Sequence, residues 1–175
     1  MKRTTTIAIV VVAVAIILVG SYAVYANFAQ GTLQIELTDL PQSWGNVTQI
    51  YLNYSAIEIH RADAENSSSW TTTADQGWIN LTTILDVNQT IGSKSLQPGT
   101  YNLIRFKINQ ALVTVANLNY SANVPSGTLQ IAITQSGITV KAGQTSTLLI
   151  DLSIAVHGSV DTGFTIVPDV RATPE

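Results

Sequence analysis

The chain has 175 residues, with eight Lys and Arg against eleven Asp and Glu, two His, no Cys and a formal net charge of −3. The missing cysteine excludes disulfides, thiolate nucleophiles and Cys-ligated zinc. The acidic balance excludes an extended basic surface for nucleic acid.

The first element is the run IAIVVVAVAIILVGSYAVYA, Ile7 to Ala26, 20 residues without a charge. As a helix it would be about 30 Å long, the thickness of a bilayer's hydrocarbon core. Lys2 and Arg3 precede it and no Lys or Arg follows until Arg61. That bias keeps the N-terminus in the cytoplasm and exports the remainder. The expectation is a single-pass signal-anchor with the lipid bilayer as its partner. Val24-Tyr25-Ala26 would also serve as a leader cleavage site, although an ordinary leader core is only about 7–15 residues. A helix packed into a filament is a third reading, and all three put the rest of the chain outside the cytoplasm.

Residues 1–30 therefore read as cytoplasmic stub, transmembrane helix and short linker, and residues 31–175 as one extracytoplasmic domain large enough for a real core. The exported part holds six basic and eleven acidic residues, a net charge of −5.

Beyond Ala26 the pattern changes to alternation rich in Thr, Val, Ile and Tyr, broken by Gly, Pro, Asn and Asp, which predicts strands. They are placed at Thr32–Thr38, Val47–His60, Trp78–Leu81, Thr100–Val115, Thr128–Thr134, Ile138–Lys141, Thr145–Val156 and Phe164–Val170. Leu148, Ile150, Leu152, Ile154 and Val156 keep one parity, so that strand buries one face and is expected to be central. In Val47–His60 the parity runs through Ile50, Leu52 and Tyr54 and then switches to Ile57 and Ile59, which predicts a bulge near Ser55-Ala56. Leu81–Gln89 could hold a short helical turn. Turns fall at Pro98-Gly99, Ser126-Gly127, Ala142-Gly143 and Thr162-Gly163. The expected fold is all-β, an antiparallel β-sandwich of about seven to eight strands behind one N-terminal transmembrane helix. The string GTLQI occurs at Gly31–Ile35 and Gly127–Ile131, but the likeness ends at Thr38 and Thr134 and the spacings do not recur. We read it as coincidence rather than duplication.

Four blocks in order, GTLQIELTDLP, LQPGTYNLIRFKI, VPSGTLQI and GQTSTLLIDLSI…IVPDVR, with WINLTTIL ahead of the Pro-Gly-x-Tyr element, resemble an exported family known as domain of unknown function 4382. The likeness covers about Gly31 to Arg171. It implies a surface β-domain held by a lipid or membrane anchor, with no activity attached. The chain lacks the lipobox cysteine, so a hydrophobic helix would replace the lipid. In architecture alone, a hydrophobic helix before a cysteine-free, sequon-rich β-domain resembles archaeal pilins and archaellins. There the processing site fits badly, because Arg3 is followed by Thr4.

Asn-x-Ser/Thr occurs at Asn46, Asn53, Asn66, Asn80, Asn88 and Asn119, six of eleven Asn, where chance gives about two. These are glycosylation candidates, and glycan requires exposed Asn. The bland alternative is a Thr/Ser/Asn-rich surface that makes sequons incidentally.

Glu58 and His60 share a strand face with Asp63 and Glu65 in the next loop, the one cluster that could hold a divalent cation. Such a pattern is more often solvated, and no metal or cofactor is expected. His157, Ser159 and Asp161 lie together in HGSVD, but a nucleophilic triad needs an oxyanion hole, so no catalytic residue is assigned. No glycine cluster opens a helix to cradle phosphate. Trp44, Trp70 and Trp78 with Tyr51, Tyr54, Tyr101 and Tyr120 could form a platform for sugars, or simply fill core and strand pairs.

Arg105 lies opposite in parity to Ile104, Phe106 and Ile108 in a long strand and is expected to need a carboxylate, Asp151 first and Asp39 second. Lys107 is expected to reach water along its stem. These readings point to a non-enzymatic, membrane-anchored surface or envelope protein, glycosylated, in adhesion or surface assembly. A filament subunit, or a glycan- or metal-binding module, is the alternative.

Overall fold

The computed structural model describes residues 3–39, 43–64 and 69–175. Among these residues one α-helix, α1 (Arg3–Phe28), precedes ten strands: β1 (Gly31–Thr38), β2 (Val47–Arg61), β3 (Trp70–Asn80), β4 (Gln89–Leu96), β5 (Gly99–Val115), β6 (Leu118–Asn123), β7 (Thr128–Ala132), β8 (Ile138–Val140), β9 (Thr145–Ser159) and β10 (Gly163–Pro174). The helical turn expected within Leu81–Gln89 is a single 3-10 turn, Leu81–Thr83.

The protein is all-β behind its helix, but the strands do not divide into two antiparallel sheets. They form one hydrogen-bonded sheet in the order β3-β2-β5-β6-β10-β9-β1-β4, with β7 and β8 also paired to β5. β5 is the reason. Its 17 residues pair with β2 along one edge and with β8, β7 and β6 in succession along the other. Two joins are parallel, β1 with β9 and β6 with β10. The sheet curls into a near-barrel whose end strands meet: a methyl added at Gly92 of β4 would stand 3.1 Å from both Ala74 Cβ and Thr73 O of β3. A side chain there would hold that seam open, which is why glycine suits it.

Inside the curl, alternation sets the core. β1 reads strictly in and out, with Leu33, Ile35 and Leu37 wholly buried. β9 is interior, between β10 and β1, and buries Leu148, Ile150, Leu152 and Ile154, while Val156 is half-buried. Each such side chain contributes about 1.5–3 kcal/mol on burial. In β2 the pairing with β5 slips between Tyr54 and Ala56, so Ser55 is the bulge that lets Ile50, Leu52 and Tyr54 share the inner face with Ile57 and Ile59. The two GTLQI copies lie in unlike places, one in β1 between two partners and one entering β7, which pairs β5 alone.

Strand directions define two poles. At one lie Gly31, Arg61, Trp70, Leu96, Gly99 and Thr145; at the other lie Val47, Asn80, Gln89, Val115, Leu118 and Ser159. α1 runs 26 residues and reaches β1 through Ala29 and Gln30. The Gln30 carbonyl accepts from Gly143 N–H at the near pole. Within α1 the Ser21 hydroxyl donates back to the Ile17 carbonyl, which satisfies the polar group inside the helix. Side chains of α1 are described over residues 10–22 and at Val24. Among the described residues, no helix is long and apolar enough to cross a membrane.

Candidate functional site

The outer face of β3, β2, β5 and β7 carries a charged cluster. Glu58 of β2 is in register with Arg105 of β5, and Lys107 is on the same face two residues along. Arg105 Nε donates to Glu58 Oε2 at 2.5 Å and Lys107 Nζ to Oε1 at 2.8 Å. The Arg105 guanidinium also lies 4.0 Å from the centroid of the Trp70 ring, a cation–π contact. Trp70 in turn packs on His60, centroids 5.1 Å apart, and His60 Nδ1 is 3.2 Å from Asn102 Oδ1. Burial raises the Glu58 carboxyl, but hydrogen bonds from Lys107 and Arg105, reinforced by their charges, outweigh it and hold its pKa below the ordinary value.

The partner of Arg105 is thus Glu58 and neither Asp151 nor Asp39. β5 and β9 are separated in the sheet by β6 and β10, so Asp151 is out of reach. Asp151 stands opposite Arg171 and accepts from Ser153 Oγ at 3.2 Å. Asp39 is fully buried at the far end of β1, where its N–H donates to Ile84 O and its carbonyl accepts from Asp86 N–H. Lys107 keeps 42% of its side chain exposed while pairing with Glu58. The missed signal was the antiparallel match of Glu58-x-His60 with Leu103-x-Arg105, visible only once β2 and β5 are known to be neighbours.

Other sequence candidates are not brought together. Asp63 pairs with Arg61, Glu65 lies outside the described residues, and no group of three ligating side chains that could hold a metal occurs among the described residues. In HGSVD the Ser159 hydroxyl shares a hydrogen bond with Thr162 Oγ1 at 3.0 Å, closing the β9–β10 turn. The aromatic set disperses: Tyr54 and Tyr101 are buried, and Tyr120 packs on Phe164. Trp44 donates from Nε1 to Ile154 O at 2.9 Å.

The far pole, opposite the entry of α1, collects the sequons. Asn46, Asn88 and Asn119 are exposed there; Asn80 is half-buried at the end of β3, Asn53 is half-buried further along β2, and Asn66 lies outside the described residues. Asn53 Nδ2 donates to Gly77 O, and Asn119 Oδ1 accepts from Thr114 Oγ1. The same pole exposes Trp78, Val87, Leu118 and Val160. It also opens a cleft of about 440 Å³, lined by Trp44, Asn46, Val115, Ser159, Val160 and Asp161 among others.

The fold and this pole define an all-β domain of one wrapped sheet, with sequons gathered at the end away from α1. The chain belongs to the domain of unknown function family DUF4382, which matches residues 30–167. No curated protein matches it. Among solved structures it is similar to a candidate cell adhesion protein from Bacteroides eggerthii DSM 20697, with 10% identity over 85% of this chain and 58% of that one and a TM-score of 0.33. A second candidate cell adhesion protein, from Bacteroides ovatus ATCC 8483, is similar with 10% identity over 81% of this chain and 44% of that one and a TM-score of 0.22. The chain therefore spans 58% of the first and 44% of the second.

Proposed function

We propose that this chain is a membrane-tethered, exported and glycosylated surface domain, without catalytic activity, that presents its far pole in adhesion or surface assembly. One observation carries the reading. α1 feeds the sheet at one pole, while Asn46, Asn80, Asn88 and Asn119, with the exposed Trp78, Val87, Leu118 and Val160, gather at the other. These exposed apolar side chains, set among the sequons, are the surface we assign to contact with a partner. A helix anchored in the bilayer would turn this pole outward. The uncharged run Ile7–Ala26 supports the anchor, and Val19 and Tyr22 of α1 have 70% and 73% of their surface without protein cover.

The test is cell fractionation with external protease on cells making the full chain. The β-domain is expected to be lost to protease while α1 stays with the membrane, and cells lacking the chain are expected to attach less well. Recovery of the whole chain in the soluble cytoplasmic fraction overturns the reading, and release as sheared high-mass fibres replaces the tether with a filament.

A further inference from the structure

Three of the six sequons have an aromatic residue two positions before the Asn: Trp44-Gly45-Asn46-Val47-Thr48, Tyr51-Leu52-Asn53-Tyr54-Ser55 and Trp78-Ile79-Asn80-Leu81-Thr82. Aromatic residues are 7% of the chain, so chance would supply less than one. In an extended strand, positions two apart lie on the same face, about 7 Å from each other. The structure adds a second relationship. Tyr51 pairs directly with Asn80, and Asn53 with Trp78, across β2 and β3. Leu52 and Ile79, between them, are buried, so two aromatic rings and two sequon amides form one quartet on the outer face.

The two amides differ. Asn53 Nδ2 is used on Gly77 O. Asn80 instead holds its Oδ1 against Thr82, accepting from Thr82 N–H at 3.1 Å and Thr82 Oγ1 at 2.5 Å. Its Nδ2 makes no hydrogen bond with the described residues. Trp78, with 53% of its surface exposed, lies beside it. The exposed indole is open to a sugar on the same strand face, and a pyranose presents a face of C–H groups suited to it.

We propose that Asn80 carries an N-linked glycan and that the first sugar residues lie over the Trp78 indole. This rests on the reading of the chain as an exported glycoprotein. In the modification, Asn80 Nδ2 forms a bond to the anomeric carbon of a phosphate-activated sugar supplied by a separate transferase. The anomeric C–O bond breaks, the phosphate leaves with its electron pair, and one Nδ2 proton passes to the transferase's base. Thr82 holds the carboxamide oxygen aside and Trp78 receives the sugar, so the strand supplies both the acceptor and the surface that the product covers.

The experiment uses the full chain purified in detergent from the cells that make it, mapped by glycopeptide mass spectrometry, with acrylamide quenching of tryptophan fluorescence as the second readout. Asn80→Gln and Thr82→Ala each abolish the sequon but disturb the 3-10 turn differently, and Trp78→Phe identifies the Trp78 signal by difference. Sugar on Asn80, with loss of protection and a red shift of Trp78 emission in both sequon variants, is the expected result. If Asn80 is occupied but Trp78 is quenched equally with and without the sugar, the stacking is overturned. A bare Asn80 beside occupied Asn46, Asn88 or Asn119 overturns the proposal and leaves the glycoprotein reading standing. Six bare asparagines overturn both.

Discussion

Glu58 and Arg105 face each other across β2 and β5 on the outside of the sheet, joined Nε to Oε2 at 2.5 Å with only 12% of the glutamate side chain exposed. Lys107 takes the other oxygen, so one carboxylate holds two cations. Glu58→Ala would leave Arg105 and Lys107 together with no counter-charge. The expected loss is about 1–3 kcal/mol, between the ~0–1 of a surface pair and the ~3–5 of a fully buried one. Urea unfolding of Glu58→Ala, Arg105→Ala and the double variant measures the coupling, and additive effects would show that the pair contributes nothing.

The same cluster sets an acid limit. The ordinary Glu58 value is 4.5 and the folded value is lower, because the two cations outweigh burial. The unfolded chain therefore takes up the proton first as pH falls. The stabilisation is fully present above 4.5 and is lost as the pH drops from there through the lowered folded value. Stability measured against pH in that window should rise with pH, and less steeply for Glu58→Gln. Parallel curves for the two proteins would contradict the assignment.

Closure of the sheet is tested at Gly92. Valine there would meet Ala74 Cβ and the Thr73 carbonyl, both 3.1 Å from the added Cβ, and would force β3 and β4 apart. Overpacking of this kind costs about 1–3 kcal/mol, or about 2–4 °C in Tm per kcal/mol for a domain of this size. An unchanged melting temperature would mean that the seam is loose.

The tether is tested at Val14, in the middle of Ile7–Ala26. Arginine at the centre of a span costs about 2.5–3.5 kcal/mol of insertion. Val14→Arg should therefore shift the chain from the membrane fraction, as carbonate extraction would reveal. Equal membrane retention of variant and parent would argue against a spanning helix.

Strands that carry alternating apolar residues were legible before any coordinates, as β1 and β9 illustrate. β4 and β6 were not. β4 reads QTIGSKSL and buries only Leu96, and β6 reads LNYSAN with no residue fully buried. Pairing along their backbones, which leaves no mark in hydropathy, makes them strands. For the same reason the parallel joins of β1 with β9 and β6 with β10 could not be foreseen, and together with the long β5 they turn an expected sandwich into one wrapped sheet. Arg105 exposes the limit most clearly: its need for a carboxylate follows from its own strand, whereas the identity of that carboxylate depends on which strand lies alongside. Sequon positions were readable outright, but the quartet of Tyr51, Asn53, Trp78 and Asn80 required the β2–β3 register.

β1 is hydrogen-bonded on both flanks, to β4 from Gly31 to Leu37 and to β9 from Thr32 to Thr38, and it receives the chain from α1 at its near-pole end. A pull on α1 against a grip at the far pole would run along the axis of β1. Two rows of hydrogen bonds would then be sheared together, instead of being peeled one after another. Under such a pull tension would enter at a doubly held strand, and endurance under load would be governed by the height of the unfolding barrier rather than by equilibrium stability.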